Sequence, residues 1–302
     1  MREILQSGIE NILWLQQFQT EHSYELWEIF TNFGGTYYLY MVPAIVWVID
    51  YRMGLRLLSM LTLTLVLNAI LKEVFAQPRP FEFDARVVSP GELGYGLPSG
   101  HAQLAVVFWG VLAGWVDRRP FWFFAISMMF LMGLSRVILG VHFPTDVLLG
   151  WVLGGLTLWA YFRYQIGFEG WFVGLAPGRQ ALWVVAAAGG SFLCVGVVGT
   201  ELVLLGAGAA GMILGGGLGG IVAARVLSFE GHGPVWKRIV RYVLGLAVLL
   251  VFLGTVSGLE IPEGVAGGLL VIAELTIFGA WLTLGAPWLF ERLRLSRAPG
   301  VV

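Results

Sequence analysis

Residues 54–80 read GLRLLSMLTLTLVLNAILKEVFAQPRP. The apolar part of this stretch, residues 54–75, is long enough as an α-helix to cross the ~30 Å of hydrocarbon in a bilayer. Its end carries Lys72, and Arg79 follows between two prolines that stiffen the loop presenting the guanidinium group. The stretch therefore predicts a membrane-spanning helix with a cationic site at one end.

The composition of the whole chain is typical of a membrane protein. Of its 302 residues 58% are hydrophobic and 12% are charged, and the mean hydropathy is +0.80. A soluble globule would need more polar residues to cover its surface. Apolar runs predict nine spans, near residues 36–50, 54–75, 101–117, 121–141, 145–163, 181–199, 202–223, 239–257 and 264–289. The expected fold class is all-α, a polytopic transmembrane helix bundle, with an N-terminal interfacial helix within residues 9–33.

The basic residues are distributed unevenly between the two ends of these spans. Most of the 18 Lys and Arg residues fall in alternate loops, which the positive-inside rule assigns to the cytoplasm together with the C-terminus. The exceptions are Arg2, Lys72, Arg79, Arg86 and Arg136. A lone cation at a helix end usually anchors the helix by snorkelling, but three of these stand inside short polar motifs. We therefore expect those three to meet at one site on the opposite face.

The second polar motif is Pro98-Ser99-Gly100-His101, which precedes an apolar run. Ser99 is a natural N-cap, and Gly100 and His101 would open the following helix. The free backbone N–H groups and the positive end of the helix dipole at such a start bind anions. This motif predicts an anion-binding position at the same end of the spans as Lys72 and Arg79.

The third motif is Ser135-Arg136-Val-Ile-Leu-Gly-Val-His142-Phe-Pro-Thr-Asp146. The chain contains four histidines, and two of them lie in these motifs. Pro144 suits the first position of a helix, which puts Asp146 in the first turn, where its carboxylate can reach the imidazole of His142. A carboxylate that holds one ring nitrogen leaves the other bare, as a nucleophilic histidine requires.

Together the three motifs resemble the signatures of the type 2 phosphatidic acid phosphatase superfamily, which are Lys-x6-Arg-Pro, Pro-Ser-Gly-His and Ser-Arg-x5-His-x3-Asp. The matching positions run from Lys72 to Asp146, in order and with the expected spacing. The resemblance extends to about residue 165. We therefore expect a phosphatase core in residues 1–165 and a four-span C-terminal transmembrane domain, of no recognised family, in residues 166–302.

The resemblance implies a role for each matching residue. His142 would attack phosphorus to form a phosphohistidine, Asp146 would orient it, and His101 would protonate the leaving oxygen and then activate water. The implied phosphate-binding residues are Lys72, Arg79, Ser99, Gly100 and Arg136. No metal and no cofactor is implied.

The expected substrate is a lipid phosphate or lipid diphosphate whose tail stays in the bilayer while its phosphate enters the cationic site. Undecaprenyl diphosphate, phosphatidylglycerol phosphate and phosphatidic acid all fit this description. A net charge of −1 gives no reason to expect a nucleic acid partner. We expect a multi-pass protein of the plasma (inner) membrane of a bacterium, with the active site at the periplasmic or extracellular face.

Two other functions share these features. A phosphohistidine can be discharged to a lipid or sugar hydroxyl, so a lipid phosphotransferase with the same intermediate is one alternative. A lipid transporter or flippase fused to a phosphatase half is the other, because of the four additional spans and of Glu274 within the last one. For Glu274 we expect instead a hydrogen bond within the bundle.

Small residues recur at every fourth position of one predicted span in the second half of the chain. They are Ala207, Gly211, Gly215, Gly219 and Ala223. Small residues at this spacing let transmembrane helices pack closely. The stripe predicts close packing within the chain or, as the sharper alternative, a homodimer through the glycine-rich helix.

Overall fold

The computed structural model describes residues 2–198, 203–258, 260–262 and 264–296. Over these ranges the secondary structure is helical, without strands. The helices are α1 (Arg2–Gln16), α2 (Glu21–Asn32), α3 (Tyr38–Ala44), α4 (Tyr51–Phe75), α5 (Pro80–Phe83), α6 (Gly100–Val116), α7 (Arg119–Ile138), α8 (Pro144–Gly174), α9 (Pro177–Val198), α10 (Val203–Val226), α11 (Val235–Val256), α12 (Val265–Ala280) and α13 (Ala286–Arg292). Two π-helical segments, Ile45–Ile49 and Trp281–Gly285, extend α3 and join α12 to α13. The predicted all-α, polytopic fold class is confirmed.

Seven helical stretches within the described ranges are long and apolar enough to cross a membrane. They are Tyr51–Phe83, Arg119–Ile138, Pro144–Gly174, Pro177–Val195, Leu204–Val226, Val235–Val256 and Val265–Arg292. Two of the nine predicted spans correspond to the shorter apolar helices Tyr38–Ile49 and Gly100–Val116. At 1.5 Å per residue α6 is only about 25 Å long, less than the usual hydrocarbon thickness. The total of nine crossings therefore stays a prediction.

The N-terminal region differs from the single interfacial helix expected within residues 9–33. It forms two helices, α1 and α2, which are separated at Thr20. The Thr20 side chain accepts a hydrogen bond from Ser23 N at 3.2 Å, and the Ser23 side chain accepts one from Thr20 N at 2.8 Å. This capping box satisfies the free N–H groups of a new helix start, which is why the chain begins α2 there.

The described chain divides into two compact units. Unit 1 comprises Met1–Tyr38 and Leu67–Gln165, and unit 2 comprises Leu39–Val66 and Ile166–Val302. Helix α4 therefore contributes its first part to unit 2 and its last part to unit 1. The domain boundary that we placed after residue 165 stays a prediction.

Unit 1 has an apolar core that brings the polar motifs together. Leu5, Ile9 and Ile12 lie on one face of α1 and are buried. Their partners in this core are Val87, Ala102, Val137, Phe143 and Val147. A Cβ atom at Gly150 of α8 would lie 2.7 Å from the carbonyl oxygen of Ser99. Because glycine lacks that atom, α8 can approach the start of α6 closely enough for the second and third motifs to meet.

In unit 2 the small-residue stripe of α10 packs within the chain. A Cβ atom at Gly211 would lie 2.5 Å from the carbonyl oxygen of Ile272 in α12. Cβ atoms at Gly215 and Gly219 would lie closer still, to the carbonyl oxygen of Thr276 and to the side-chain hydroxyl of Thr283 respectively. Close packing within the chain is therefore confirmed. A homodimer through this helix stays a prediction.

Two side chains of unit 2 donate hydrogen bonds to backbone carbonyls of the π-helical segment Trp281–Gly285. The indole Nε1 of Trp47 donates to Leu282 O at 2.9 Å, and the hydroxyl of Tyr51 donates to Thr283 O at 2.6 Å. For Glu274 of α12 we expected a hydrogen bond within the bundle, but its Oε1 atom is buried and has no hydrogen-bond partner among the described residues.

Candidate active site

The start of α6 is fixed by contacts with two other elements of unit 1. Ser99 is its N-cap, as predicted, and the Ser99 side chain accepts a hydrogen bond from Ala102 N at 3.5 Å. Ser99 N donates to the carbonyl oxygen of Asp146 at 3.0 Å. The Asn68 side chain of α4 donates to Pro98 O at 3.3 Å. These bonds join the second motif to the third motif and to α4.

His142 and Asp146 are buried and adjacent. His142 Nδ1 lies 3.3 Å from Asp146 Oδ2, which also accepts a hydrogen bond from Phe143 N at 2.9 Å. Asp146 Oδ1 accepts a bond from Gln77 Nε2 at 2.7 Å. Both carboxylate oxygens are therefore held, and Nδ1 is the natural place for the imidazole proton. Burial, together with the nearby charge of Arg136, lowers the pKa of His142 well below its ordinary value, so the ring is neutral.

The other ring nitrogen of His142 faces a guanidinium group. Arg79 Nη1 lies 3.5 Å from His142 Nε2 and donates to Val141 O at 2.9 Å. Arg79 Nε and Nη2 donate to Gly94 O at 2.7 Å and to Leu93 O at 3.0 Å. Three backbone carbonyls thus hold the guanidinium group of Arg79 in place. Its Nη1 atom lies beside Nε2 of His142, the ring nitrogen without a proton when Nδ1 carries it.

Two further cations complete what we call the cation cluster, which is Lys72, Arg79 and Arg136. Arg136 at the end of α7 donates from Nη1 to the Thr31 hydroxyl at 2.7 Å and from Nη2 to the Glu92 carboxylate. Lys72 near the end of α4 donates to Tyr95 O. The three cations interact electrostatically with one another. A site with several converging donors of this kind is suited to a phosphoryl group.

His101 belongs to the same site. It interacts electrostatically with Arg136, Glu92 and Lys72. A Cβ atom at Gly35, in the turn that follows α2, would lie 2.7 Å from His101 Nε2. This glycine therefore leaves the space that the imidazole occupies. The structure thus brings together all eight predicted site residues, since Gly100 lies between Ser99 and His101 at the start of α6.

Several residues at the site lie outside the positions that the motifs indicated. They are Thr31, Gly35, Asn68, Gln77 and Glu92. Gln77 lies inside the first motif and Glu92 lies in the loop between the first two motifs. Their positions in the sequence could therefore have indicated that they lie at the site. Thr31 is 105 residues from its partner Arg136, and nothing in the local sequence indicates that pair. Among the described residues no group of three or more His, Cys, Asp or Glu side chains is arranged to hold a metal ion.

Comparison with known protein families gives two matches along the chain. The PAP2 superfamily model matches residues 53–168, and the model described as "PAP2 superfamily phosphatase, transmembrane extension" matches residues 207–298. The chain contains a PAP2 superfamily domain and, after it, the transmembrane extension of PAP2 superfamily phosphatases. The second match corrects the expectation that residues 166–302 resemble no recognised family: this half of the chain carries no catalytic motif, so its sequence alone offered no pattern of chemically distinctive residues.

Two similar proteins each match about a third of this chain. The chain is 36% identical over 105 residues to the undecaprenyl-diphosphatase of Sulfolobus acidocaldarius, covering 34% of this chain and 50% of that protein. It is 37% identical over 110 residues to phosphatidylglycerophosphatase B of Bacillus subtilis, covering 33% of this chain and 52% of that protein. The chain thus spans about half the length of these relatives.

Two solved structures overlap with part of this chain. One is the PAP2 type phosphatidylglycerolphosphate phosphatase from Bacillus subtilis, at a TM-score of 0.49 and 24% identity, covering 55% of this chain and 88% of that chain. The other is Aquifex aeolicus LpxE, at a TM-score of 0.46 and 22% identity, covering 51% of this chain and 94% of that chain.

Proposed function

We propose that this protein is a membrane-embedded, metal-independent lipid phosphate phosphatase that works through a phosphohistidine on His142. The observation that carries the proposal is the placement of His142 between Asp146 at Nδ1 and Arg79 at Nε2. This arrangement directs the lone pair of Nε2 toward a position where a phosphoryl oxygen could bind Arg79. The PAP2 superfamily domain in residues 53–168 supports it.

In the first step Nε2 of His142 attacks phosphorus, so that a P–N bond forms as the bond to the leaving oxygen breaks. His101 donates a proton to that oxygen. In the second step His101 accepts a proton from water, the water oxygen attacks phosphorus, and the P–N bond breaks to release inorganic phosphate. The positive charge of the cation cluster, the Ser99 hydroxyl and the N–H group of Gly100 stabilise the phosphoryl oxygens in both steps.

The substrate that we propose is a lipid with a terminal phosphate or diphosphate. The apolar helices around the site allow a lipid tail to remain in the bilayer, and the similar proteins are named for undecaprenyl diphosphate and for phosphatidylglycerophosphate. Phosphatidic acid meets the same chemical description. The distribution of basic residues supports a site at the periplasmic or extracellular face and a cytoplasmic C-terminus.

The decisive experiment incubates detergent-purified protein with undecaprenyl diphosphate, phosphatidylglycerol phosphate and phosphatidic acid in EDTA, and measures released phosphate. We expect release from at least one lipid without added metal, and inhibition by orthovanadate, which resembles five-coordinate phosphorus. Recovery of activity only on addition of magnesium would contradict the proposed site. An added lipid alcohol that captured the phosphoryl group instead of water would make the protein a transferase.

Orientation is tested separately by labelling single cysteines in intact cells, with Cys194 first replaced. A cysteine at Val88, in the loop beside the site, should react with a membrane-impermeant reagent. Cysteines at Arg118 and Leu293, both exposed, should remain unlabelled until the membrane is permeabilised. The reverse pattern would place the site at the cytoplasmic face.

A further inference from the structure

The loop between α5 and α6 covers the cation cluster with its own acceptors. We call residues 92–95 the covering loop. Its carbonyl groups accept hydrogen bonds from two of the cations, since Leu93 O and Gly94 O bind Arg79 and Tyr95 O binds Lys72. Its one acidic side chain, Glu92, binds the third cation, Arg136. Every member of the cluster is therefore engaged by four consecutive residues.

The carboxylate of Glu92 lies where two guanidinium groups meet. Its Oε2 pairs with Arg136 Nη2 and lies 3.4 Å from Arg79 Nη1. Burial raises the pKa of Glu92, but the charges of Arg136 and Arg79 outweigh that effect and hold the pKa below its ordinary value. The side chain is thus an anion at neutral pH, bound by the same donors that a phosphoryl oxygen would use.

The position of this carboxylate is close to the reacting atom. Arg79 Nη1 lies 3.5 Å from His142 Nε2 and 3.4 Å from Glu92 Oε2, so one guanidinium nitrogen touches both the nucleophile and the anion. A phosphoryl group that is attacked by His142 and stabilised by Arg79 and Arg136 needs this space. Substrate and Glu92 therefore exclude each other from the cluster.

The side chains and backbone of the covering loop are compatible with its moving away from the cation cluster. Leu93 is 97% exposed, so its side chain adds no packing that would hold the loop in place. Gly91 and Gly94 have φ angles of +77° and +73°, a backbone region that glycine adopts without strain. The contacts of this loop with the cations are hydrogen bonds to its acceptor oxygens, and a phosphoryl group with three acceptor oxygens can replace those acceptors.

We propose that Glu92 is an internal competitor for the phosphoryl group: it occupies the cation cluster between turnovers, yields to the substrate phosphate and returns to displace the phosphate product. The proposal rests on the proposed function for the identity of that product. Since the competition acts on the empty site, it weakens the binding of substrate, phosphate and vanadate by one common factor. Charge-assisted hydrogen bonds of this kind correspond to a factor on the order of tenfold or more.

The test compares the wild-type protein with Glu92→Gln and with a matched control, Asp84→Asn, which removes a carboxylate that pairs with Arg86 in the same loop. Inorganic phosphate and orthovanadate are the probes. Two measurements are made: the inhibition constants in the phosphate-release assay with KM and kcat, and the phosphate concentration that half-saturates the rise in Tm of the detergent-purified protein.

We expect Glu92→Gln to lower KM and both inhibition constants by the same factor, on the order of tenfold, without raising kcat. Its Tm without anion should fall, because the cluster loses its counter-charge, and inorganic phosphate should restore it. Asp84→Asn should change none of these quantities. If the Gln variant does not fold, Glu92→Asp, which keeps the charge on a shorter side chain, should shift the constants in the same direction by less.

An active wild type whose phosphate affinity is unchanged or weakened by Glu92→Gln would overturn the inference and leave the proposed function intact. A wild type that releases no phosphate from any lipid, but in which Glu92→Gln tightens phosphate binding in the Tm measurement, would overturn the proposed function and support the competition at the site.

Discussion

Two almost completely buried arginines, Arg79 in unit 1 and Arg241 in unit 2, have very different surroundings. The guanidinium group of Arg241 donates to three backbone carbonyls of residues 230–232, which lie 9 to 11 residues before it in the chain. Arg79 contacts Val141 and His142, which lie 62 and 63 residues away. Burial of an arginine is therefore not itself a sign of function. What distinguishes Arg79 is that other cations, a carboxylate and a histidine from separate elements meet it.

From this comparison we predict that substitutions at the site residues of unit 1 lower catalytic activity, whereas substitution of Arg241 lowers the stability of the fold. The largest effect should come from His142→Ala. Because the variant lacks the imidazole that we propose as the nucleophile, phosphate release should fall by on the order of 10⁵-fold or to the detection limit. Rapid acid quenching with a radioactive substrate should trap acid-labile phosphate on the wild type and none on the variant; trapped phosphate on the variant would exclude His142 as the nucleophile.

Asp146→Asn should have the next largest effect. It preserves the size of the side chain, but an amide that donates to Nδ1 stabilises the tautomer with its proton on Nε2, which then cannot attack. We expect kcat to fall by roughly 10⁴-fold, as a wrong tautomer does in other histidine-dependent sites. The measurement is kcat at saturating substrate, with Tm as the control for folding. A loss of less than tenfold would mean that Asp146 does not set the tautomer.

His101 can be removed by substitution or displaced through its neighbour Gly35. Both changes should reduce activity with the same dependence on the leaving group. His101→Ala should slow release from a lipid monophosphate by roughly 10²-fold or more, and from nitrophenyl phosphate by less, because that leaving group needs no proton. Gly35→Ala should show the same substrate dependence at about tenfold, because its new Cβ atom would push against His101 Nε2. Gly155→Ala is the matched control, since a Cβ atom there meets nothing within 4 Å. Equal losses on both substrates would contradict the leaving-group role.

The smallest effect on chemistry should come from Arg241→Met. It leaves the carbonyls of residues 230–232 without their donors, and we expect the free energy of unfolding to fall by about 3 kcal/mol. The folded fraction should retain wild-type KM and kcat. Tm and kinetics measured on the same preparation decide this; a normal Tm with a raised KM would give Arg241 a role at a functional site and remove the contrast with Arg79.

The sequence correctly indicated those features that depend on local properties. Hydropathy sums over neighbouring residues, so apolar runs such as 54–75 identified helices. The capping position of Ser99 and the four-residue spacing of His142 and Asp146 are equally local, and the structure shows the expected cap and contact. The break at Thr20 was missed, although residues 19–23 form a polar run, because the apolar residues on both sides of that run were interpreted as one interfacial helix.

The sequence by itself determined that the chain is a helical membrane protein, which residue types carry its chemistry, and at which helix ends they stand. Only the tertiary structure decided the partners of those residues: that Gln77 holds Asp146, that Thr31 and Glu92 bind Arg136, and that the glycines of α10 face α12. The physical reason is that partition into a membrane is a property of each segment, whereas a hydrogen bond between distant residues exists only after helix packing has fixed the two backbones within a few ångströms.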